Sequence, residues 1–224
     1  MNDTMGGPAG RTGMTDEIAG TIRETGVAPT PVGEGRTVRL RRTYHAPIDD
    51  VWDALTTAAR INRWFLPISG ELRLGGRYQF EGNAGGEILA CEPPNLLRVS
   101  WVMGEVTPET FSEVEVRLTP CDEGTSFELT HTATVPPGMW DQFGPGAVGV
   151  GWDGALLGLA RYLASGAAMS TEDKAAWLVS EEAKSFYTAA ARAWGDAHRA
   201  AGVSAEVADA AVAATTAFYA PAGE

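Results

Sequence analysis

"APIDDVWDALTTAARINRWF", residues 46–65, is the stretch around which the rest of the chain arranges itself. Ala46-Pro47 opens a short amphipathic helix whose first turn holds Asp49 and Asp50 and whose apolar stripe is Val51, Trp52 and Leu55. Proline at a helix start forfeits no hydrogen bond, and acids there complement the positive end of the helix dipole. A second short helix is predicted over Ala58–Trp64. Trp64-Phe65-Leu66 then runs into Pro67, which stops any helix. Three large apolar side chains at a break either plug a core or line a cavity.

Upstream, "RTVRLRRTYHA" (36–46) alternates, with Val38, Leu40, Arg42 and Tyr44 on one face and Thr37, Arg39, Arg41 and Thr43 on the other. That is the pattern of a half-buried strand. Residues 1–35, rich in Gly, Pro and Thr, read as a flexible N-terminal tail interrupted by one short helix over Asp16–Glu24. Downstream, strand signals follow one another with turns between. "ISGELRL" (68–74) ends at Gly75-Gly76, "RYQFEG" (77–82) pairs Tyr78 with Phe80, and "GGEILACE" (85–92) stops at Pro93-Pro94. "LLRVSWVM" (96–103) aligns Leu97, Val99, Trp101 and Met103; "FSEVEVRLTP" (111–120) aligns Val114, Val116 and Leu118; "TSFELTHTA" (125–133) aligns Phe127, Leu129 and His131. Such alternation predicts an antiparallel sheet with one dry and one wet face.

A cover for the dry face comes after the Gly/Pro-rich break around Pro136–Gly146. In "AVGVGWDGALLGLARYLASG" (147–166), Val148, Trp152, Leu156, Leu159 and Leu163 recur at helical steps. The interior glycines Gly149, Gly151, Gly154 and Gly158 each cost about 1 kcal/mol against Ala. They either let the helix pack closely or leave room for something else. The order of elements is an α+β layer design. Beyond residue 166 the chain turns Ala-rich: one helix is predicted over 171–201, carrying Trp177, Phe186, Tyr187 and Trp194, and a last one over "SAEVADAAVAATTAFYA" (204–220). The organisation is therefore a tail (1–35), a main domain (36–166) and a helical C-terminal extension (167–224). The extension packs on the main domain or across a homodimer.

Among 224 residues, 17 basic against 29 acidic side chains give a net charge of −12. That balance argues against the basic footprint of a nucleic-acid binder and, with no polybasic run, against adsorption to anionic lipid. Cys91 and Cys121 form no CxxC and read as unpaired thiols of a reducing compartment. No run reaches the ~18 apolar residues of a membrane span, and the first residues lack the apolar core of a secretory signal. The reading is of a cytoplasmic protein. His45, His131 and His198 offer no metal-ligand spacing, and no G-x-S-x-G, H-E-x-x-H or phosphate-cradling loop is present. No catalytic residue, metal or cofactor is assigned.

The motif "RTYHAPIDDVWDALTTAARINRWF", the Gly75-Gly76 turn after a strand, and Gly151-Trp152 near the start of a long helix resemble the SRPBCC (START-like) superfamily, in the branch related to the C-terminal domain of Aha1, the activator of the Hsp90 ATPase. The resemblance spans residues 36–165, and the segment after 166 looks like an extension of some bacterial members. It implies a helix-grip fold, a curved antiparallel sheet wrapped around a long helix, often enclosing an apolar cavity. Members bind lipids, hormones or polyketides, some catalyse cyclisation or hydrolysis, and others assist chaperones, so fold alone does not settle function.

On this phasing Trp64, Phe65, Tyr78, Phe80, Trp101, Met103 and Trp152, with Leu156 of the helical stripe, project into the space between sheet and helix. They either fill a core or line a cavity suited to ligands of roughly a few hundred Å³. Tyr78, His131 and Arg42 are its candidate polar anchors. The competing expectation bonds His131 to backbone, and has Arg42 either reach out past the sheet edge or pair with a core Glu. The leading functional reading is binding of a small hydrophobic or aromatic metabolite. An Aha1-type chaperone interaction module and a polyketide cyclase or hydrolase are the alternatives.

Overall fold

The computed structural model describes residues 14–104 and 107–221. Eight strands form one antiparallel sheet: β1 (Ile22–Thr30), β2 (Gly33–Tyr44), β3 (Ile68–Gly70), β4 (Arg77–Phe80), β5 (Gly85–Glu92), β6 (Leu96–Ser100), β7 (Ser112–Cys121) and β8 (Gly124–Ala133). Their spatial order is β1-β2-β8-β7-β6-β5-β4-β3. Two short helices, α2 (Ile48–Thr56) and α3 (Ala58–Trp64), interrupt the strands after β2. The long helix α5 (Gly146–Ser165) lies against the dry face, giving the helix-grip arrangement.

Register puts the expected apolar positions together. Val114, Val116 and Leu118 on β7 stand opposite His131, Leu129 and Phe127 on β8, and Leu40 on β2 stands opposite Leu129. Phe127, Leu129, Leu40 and Leu118 are almost wholly buried. The period of two in these sequences therefore is the core face.

The expected tail ending at residue 35 is corrected within the described residues. Met14–Ala19 forms α1, shorter than the helix expected over Asp16–Glu24, and Ile22–Thr30 pairs along its whole length with β2. Residues 1–13 of the expected tail lie outside the described residues. As an edge strand β1 tolerates Gly26 and Pro29 and buries only part of each face, which is why it carries no clean alternation. It is anchored by charge: Arg23 forms a bidentate pair with Asp153 of α5 at 2.7 Å, both side chains being nearly inaccessible. Arg23 also donates to the carbonyls of Ile18 and Thr21.

Two further corrections concern helices. The break around Pro136–Gly146 contains α4 (Pro137–Phe143). The helix expected over 171–201 is two, α6 (Thr171–Leu178) and α7 (Glu181–Ala200), because the Ser180 side chain accepts from the Ala183 amide and starts a new helix. A last helix, α8 (Ala205–Tyr219), is capped in the same way by Ser204. Phe186 and Trp194 on α7 are buried inside the chain, and the Trp194 indole donates to Asp153 at 2.8 Å. These two rings, offered by the sequence as a dimer face, are core.

The glycines of α5 now have a reason. A Cβ on Gly149 would stand 2.1 Å from the Trp194 ring, one on Gly146 2.6 Å from the Thr215 hydroxyl, and one on Gly158 2.9 Å from the Trp64 carbonyl. Missing side chains let α7, α8 and α3 close on this helix while its other side meets the sheet.

Candidate functional site: an apolar cavity between sheet and helix

Between the dry face of the sheet and α5 lies a cavity of about 120 Å³. Val99, Val114, Val116 and Leu129 form its floor, Trp152, Ala155 and Leu156 of α5 its roof, and Leu55, Ile61, Trp64 and Phe65 one end. Aromatic rings dominate one side. Phe65 meets Phe80 edge-on at 5.0 Å between centroids, Phe80 meets Trp101 at 5.4 Å, and Trp101 meets Trp152 at 4.9 Å.

Four polar groups on this wall are engaged elsewhere. The Tyr78 hydroxyl donates to the Ser100 carbonyl at 2.7 Å, the Trp64 indole to the Ala54 carbonyl at 2.9 Å, and the Thr56 hydroxyl to the Trp52 carbonyl at 2.8 Å. Burial pushes the Tyr78 phenol above its ordinary range, so it remains a neutral donor. The fourth, Trp152, donates its indole N–H to Nδ1 of His131 at 3.1 Å. An indole nitrogen only donates, so Nδ1 carries a lone pair and the ring proton sits on Nε2. Nε2–H then donates to Ser112 Oγ at 2.8 Å. Burial pushes this imidazole down to about 4, and it is neutral at pH 7. With these four groups satisfied, the wall offers a guest chiefly dispersion and aromatic contact.

A second space lies outside the Trp64–Phe65 wall. This groove, of about 670 Å³, runs between α3, α5 and α6 and is lined by Leu66, Gly158, Met169, Lys174, Trp177 and Leu178 among others. Trp64, Phe65 and Ala155 line both spaces, so a single layer of side chains separates them.

The family model described as activator of Hsp90 ATPase homolog 1-like protein matches residues 45–164, more than half of the 224. The chain belongs to this activator of Hsp90 ATPase homolog 1-like family. The matched residues run from just after β2 to the end of α5 and so contain every residue lining the cavity. Among solved structures, CalU16 from Micromonospora echinospora in its solution structure is 35% identical, covering 81% of this chain and 97% of CalU16 with a TM-score of 0.65. The CalU16 crystal structure aligns at 42% identity over 65% of this chain and 87% of its own, with a TM-score of 0.56. DynU16, a protein of the dynemicin biosynthetic locus, is 28% identical over 59% of this chain and 48% of its own, with a TM-score of 0.51. No curated protein matches the chain.

Against this family frame the expected site residues divide. Trp64, Phe65, Tyr78, Phe80, Trp101, Trp152 and Leu156 all line the cavity. His131 stands one step behind, holding Trp152. Met103 is corrected: β6 ends at Ser100, only Val102 adds a lone bridge to Gly85, and Met103 lies 65% exposed beyond the ladder that would have turned it inward. Arg42 is corrected as well. It sits on the inward face but away from the cavity, stacked on the Tyr44 ring at 4.6 Å and paired with Glu17 at 2.5 Å. That pairing is one of the two competing expectations for Arg42, a core Glu supplied by the very segment read as tail. Ile61, Ile88, Val99, Val116 and Leu129 are among the further lining residues that the sequence did not name as candidates. Alternation places Val99, Val116 and Leu129 on inward faces and gives no phase for Ile61 or Ile88, and period alone cannot separate cavity lining from filled core. Among the described residues no group of His, Cys, Asp or Glu is arranged to hold a metal ion, and no helix is long and apolar enough to cross a membrane.

Proposed function

We propose that the chain binds a small apolar or aromatic metabolite in the cavity between the sheet and α5. One observation carries this reading: a void of about 120 Å³ walled by aromatic and aliphatic side chains, with the Trp64 and Trp152 indoles and the Tyr78 and Thr56 hydroxyls already bonded to protein partners. Protein interiors pack to crystal density and leave few voids larger than a water molecule. An apolar void of this order stays dry and takes a benzene-sized guest. The free space is smaller than the few hundred Å³ expected, so in this conformation one ring enters, in offset or edge contact with Phe80, Trp101 and Trp152. The likeness to DynU16 supports a metabolite as the guest.

A thermal-shift series with toluene, indole and naphthalene tests the reading. A guest at 100 times its dissociation constant adds about 2.7 kcal/mol, equivalent to roughly 5–10 °C for a chain of this size. The V116F variant, which fills the cavity floor, should lose that response while remaining folded. Absence of any shift in the wild type would overturn the reading and favour the surface-mediated chaperone role that the family name suggests.

A further inference from the structure

The groove outside the Trp64–Phe65 wall has a charge pattern at odds with the rest of the molecule. Acidic residues outnumber basic ones 29 to 17. Yet Arg63, Arg161 and Lys174 all line this groove. Arg161 is paired with Glu182 at 3.2 Å, and Glu182 also accepts from the Trp177 indole. Arg63 and Lys174 have no carboxylate partner among the described residues. Each donates to a main-chain carbonyl instead: Arg63 Nη2 to Gly166 at 2.7 Å and Lys174 Nζ to Phe65 at 2.7 Å. Asp173, also on the groove, accepts from the Ser170 hydroxyl at the start of α6.

A guanidinium has five donors and an ammonium three, so both cations keep donors for a ligand. The Lys174 carbonyl partner belongs to Phe65, the residue whose ring faces the cavity, which places the ammonium directly outside the wall. Around the two cations the groove is apolar, with Leu157, Met169 and Leu178. An apolar trough with two acid-free cations beside a ring-sized cavity matches an amphipathic anion. A monoanion fits better than a dianion, because Asp173 stands on the same groove and repels charge in proportion.

We infer that this groove is the outer subsite of the binding site, and that the ligand is an apolar or aromatic body bearing a carboxylate. This rests on the cavity reading above: the ring occupies the cavity, the Phe65 side chain swings aside so that the ligand's chain crosses the single layer between the two spaces, and the carboxylate sits between Arg63 and Lys174. Planar donors on Arg63 suit a two-oxygen acceptor, and Lys174 supplies a point charge.

Calorimetric titration of two matched pairs tests it: phenylbutyrate against phenylbutanol, and phenylhexanoate against phenylhexanol, on the wild type and on R63Q and K174Q. The acids should bind the wild type about tenfold tighter than the alcohols. Each variant should remove most of that advantage and leave the alcohol affinities unchanged. Equal affinities within both pairs, with the alcohols binding, would overturn the anionic subsite and leave the cavity reading standing. A variant that weakens alcohol and acid alike would assign its residue to the shape of the groove and likewise overturn the inference. Binding of neither class to the wild type would remove both readings.

Discussion

At His131 the neighbours leave no place for a second ring proton. Nδ1 faces the Trp152 indole N–H, so protonation would set two donors against each other and charge a buried ring. Burial holds the imidazole down at about 4, below the ~6.5 of an unfolded chain. The unfolded state therefore binds more protons between these values, and stability rises with pH across that window. The contribution is full above about 6.5 and is lost toward pH 4, by at most about 1.4 kcal/mol per pH unit. His131→Phe should cost about 1–3 kcal/mol at pH 7, by orphaning the indole N–H. The gap to wild type in urea melts should narrow at pH 5. An unchanged gap would show that His131 is not held neutral. The same scale explains two misplaced candidates. Alternation speaks only where a ladder exists, so it fails for Met103 beyond the end of β6. It gives the face of Arg42 correctly, but Glu17, which neutralises it, is distant in sequence and invisible to periodicity.

Among the elements, α5 sets propensity against packing. Helix propensity alone predicts that Gly149→Ala stabilises by about 1 kcal/mol. The new Cβ would stand 2.1 Å from the Trp194 ring, which is buried and hydrogen-bonded to Asp153 and cannot retreat. Overpacking of that kind costs roughly 1–3 kcal/mol or more and decides the sign. Chemical denaturation should show G149A destabilised and G138A, which meets open space on α4, neutral or slightly stabilised. Equal effects at the two positions would contradict the close packing of α5 on α7. The dry-face strands were legible because each buries one face continuously. β1 was not, since it is an edge held by Arg23–Asp153 and by pairing to β2. The two-helix break at Ser180 was written in the sequence as a serine followed by two glutamates, a cap signal hidden within an Ala-rich run.

For the whole molecule, the C-terminal helices belong to the core that holds α5 in place. Trp194 and Phe186 are 1% and 2% exposed, and Asp153 loses a hydrogen-bond donor without them. A chain ending at Gly166 should lose its cooperative thermal transition and near-ultraviolet ellipticity. A sharp transition close to that of the full chain would contradict this. Alternation and helical period carried the α+β order of residues 36–166 and most of the aromatic wall, and the family resemblance carried the helix-grip arrangement. They did not carry the size of the void or the groove beside it, because both depend on how α3, α5 and α6 approach one another in space.

The central claim is that the cavity takes an apolar guest, and nuclear Overhauser contacts from toluene to the methyl groups of the labelled protein test it most directly. The account predicts contacts from the toluene ring and methyl to Val116, Leu129, Ile88 and Leu156, which line the cavity. Contacts confined to exposed methyls such as those of Leu178 and Val179, or none at saturating toluene, would contradict it.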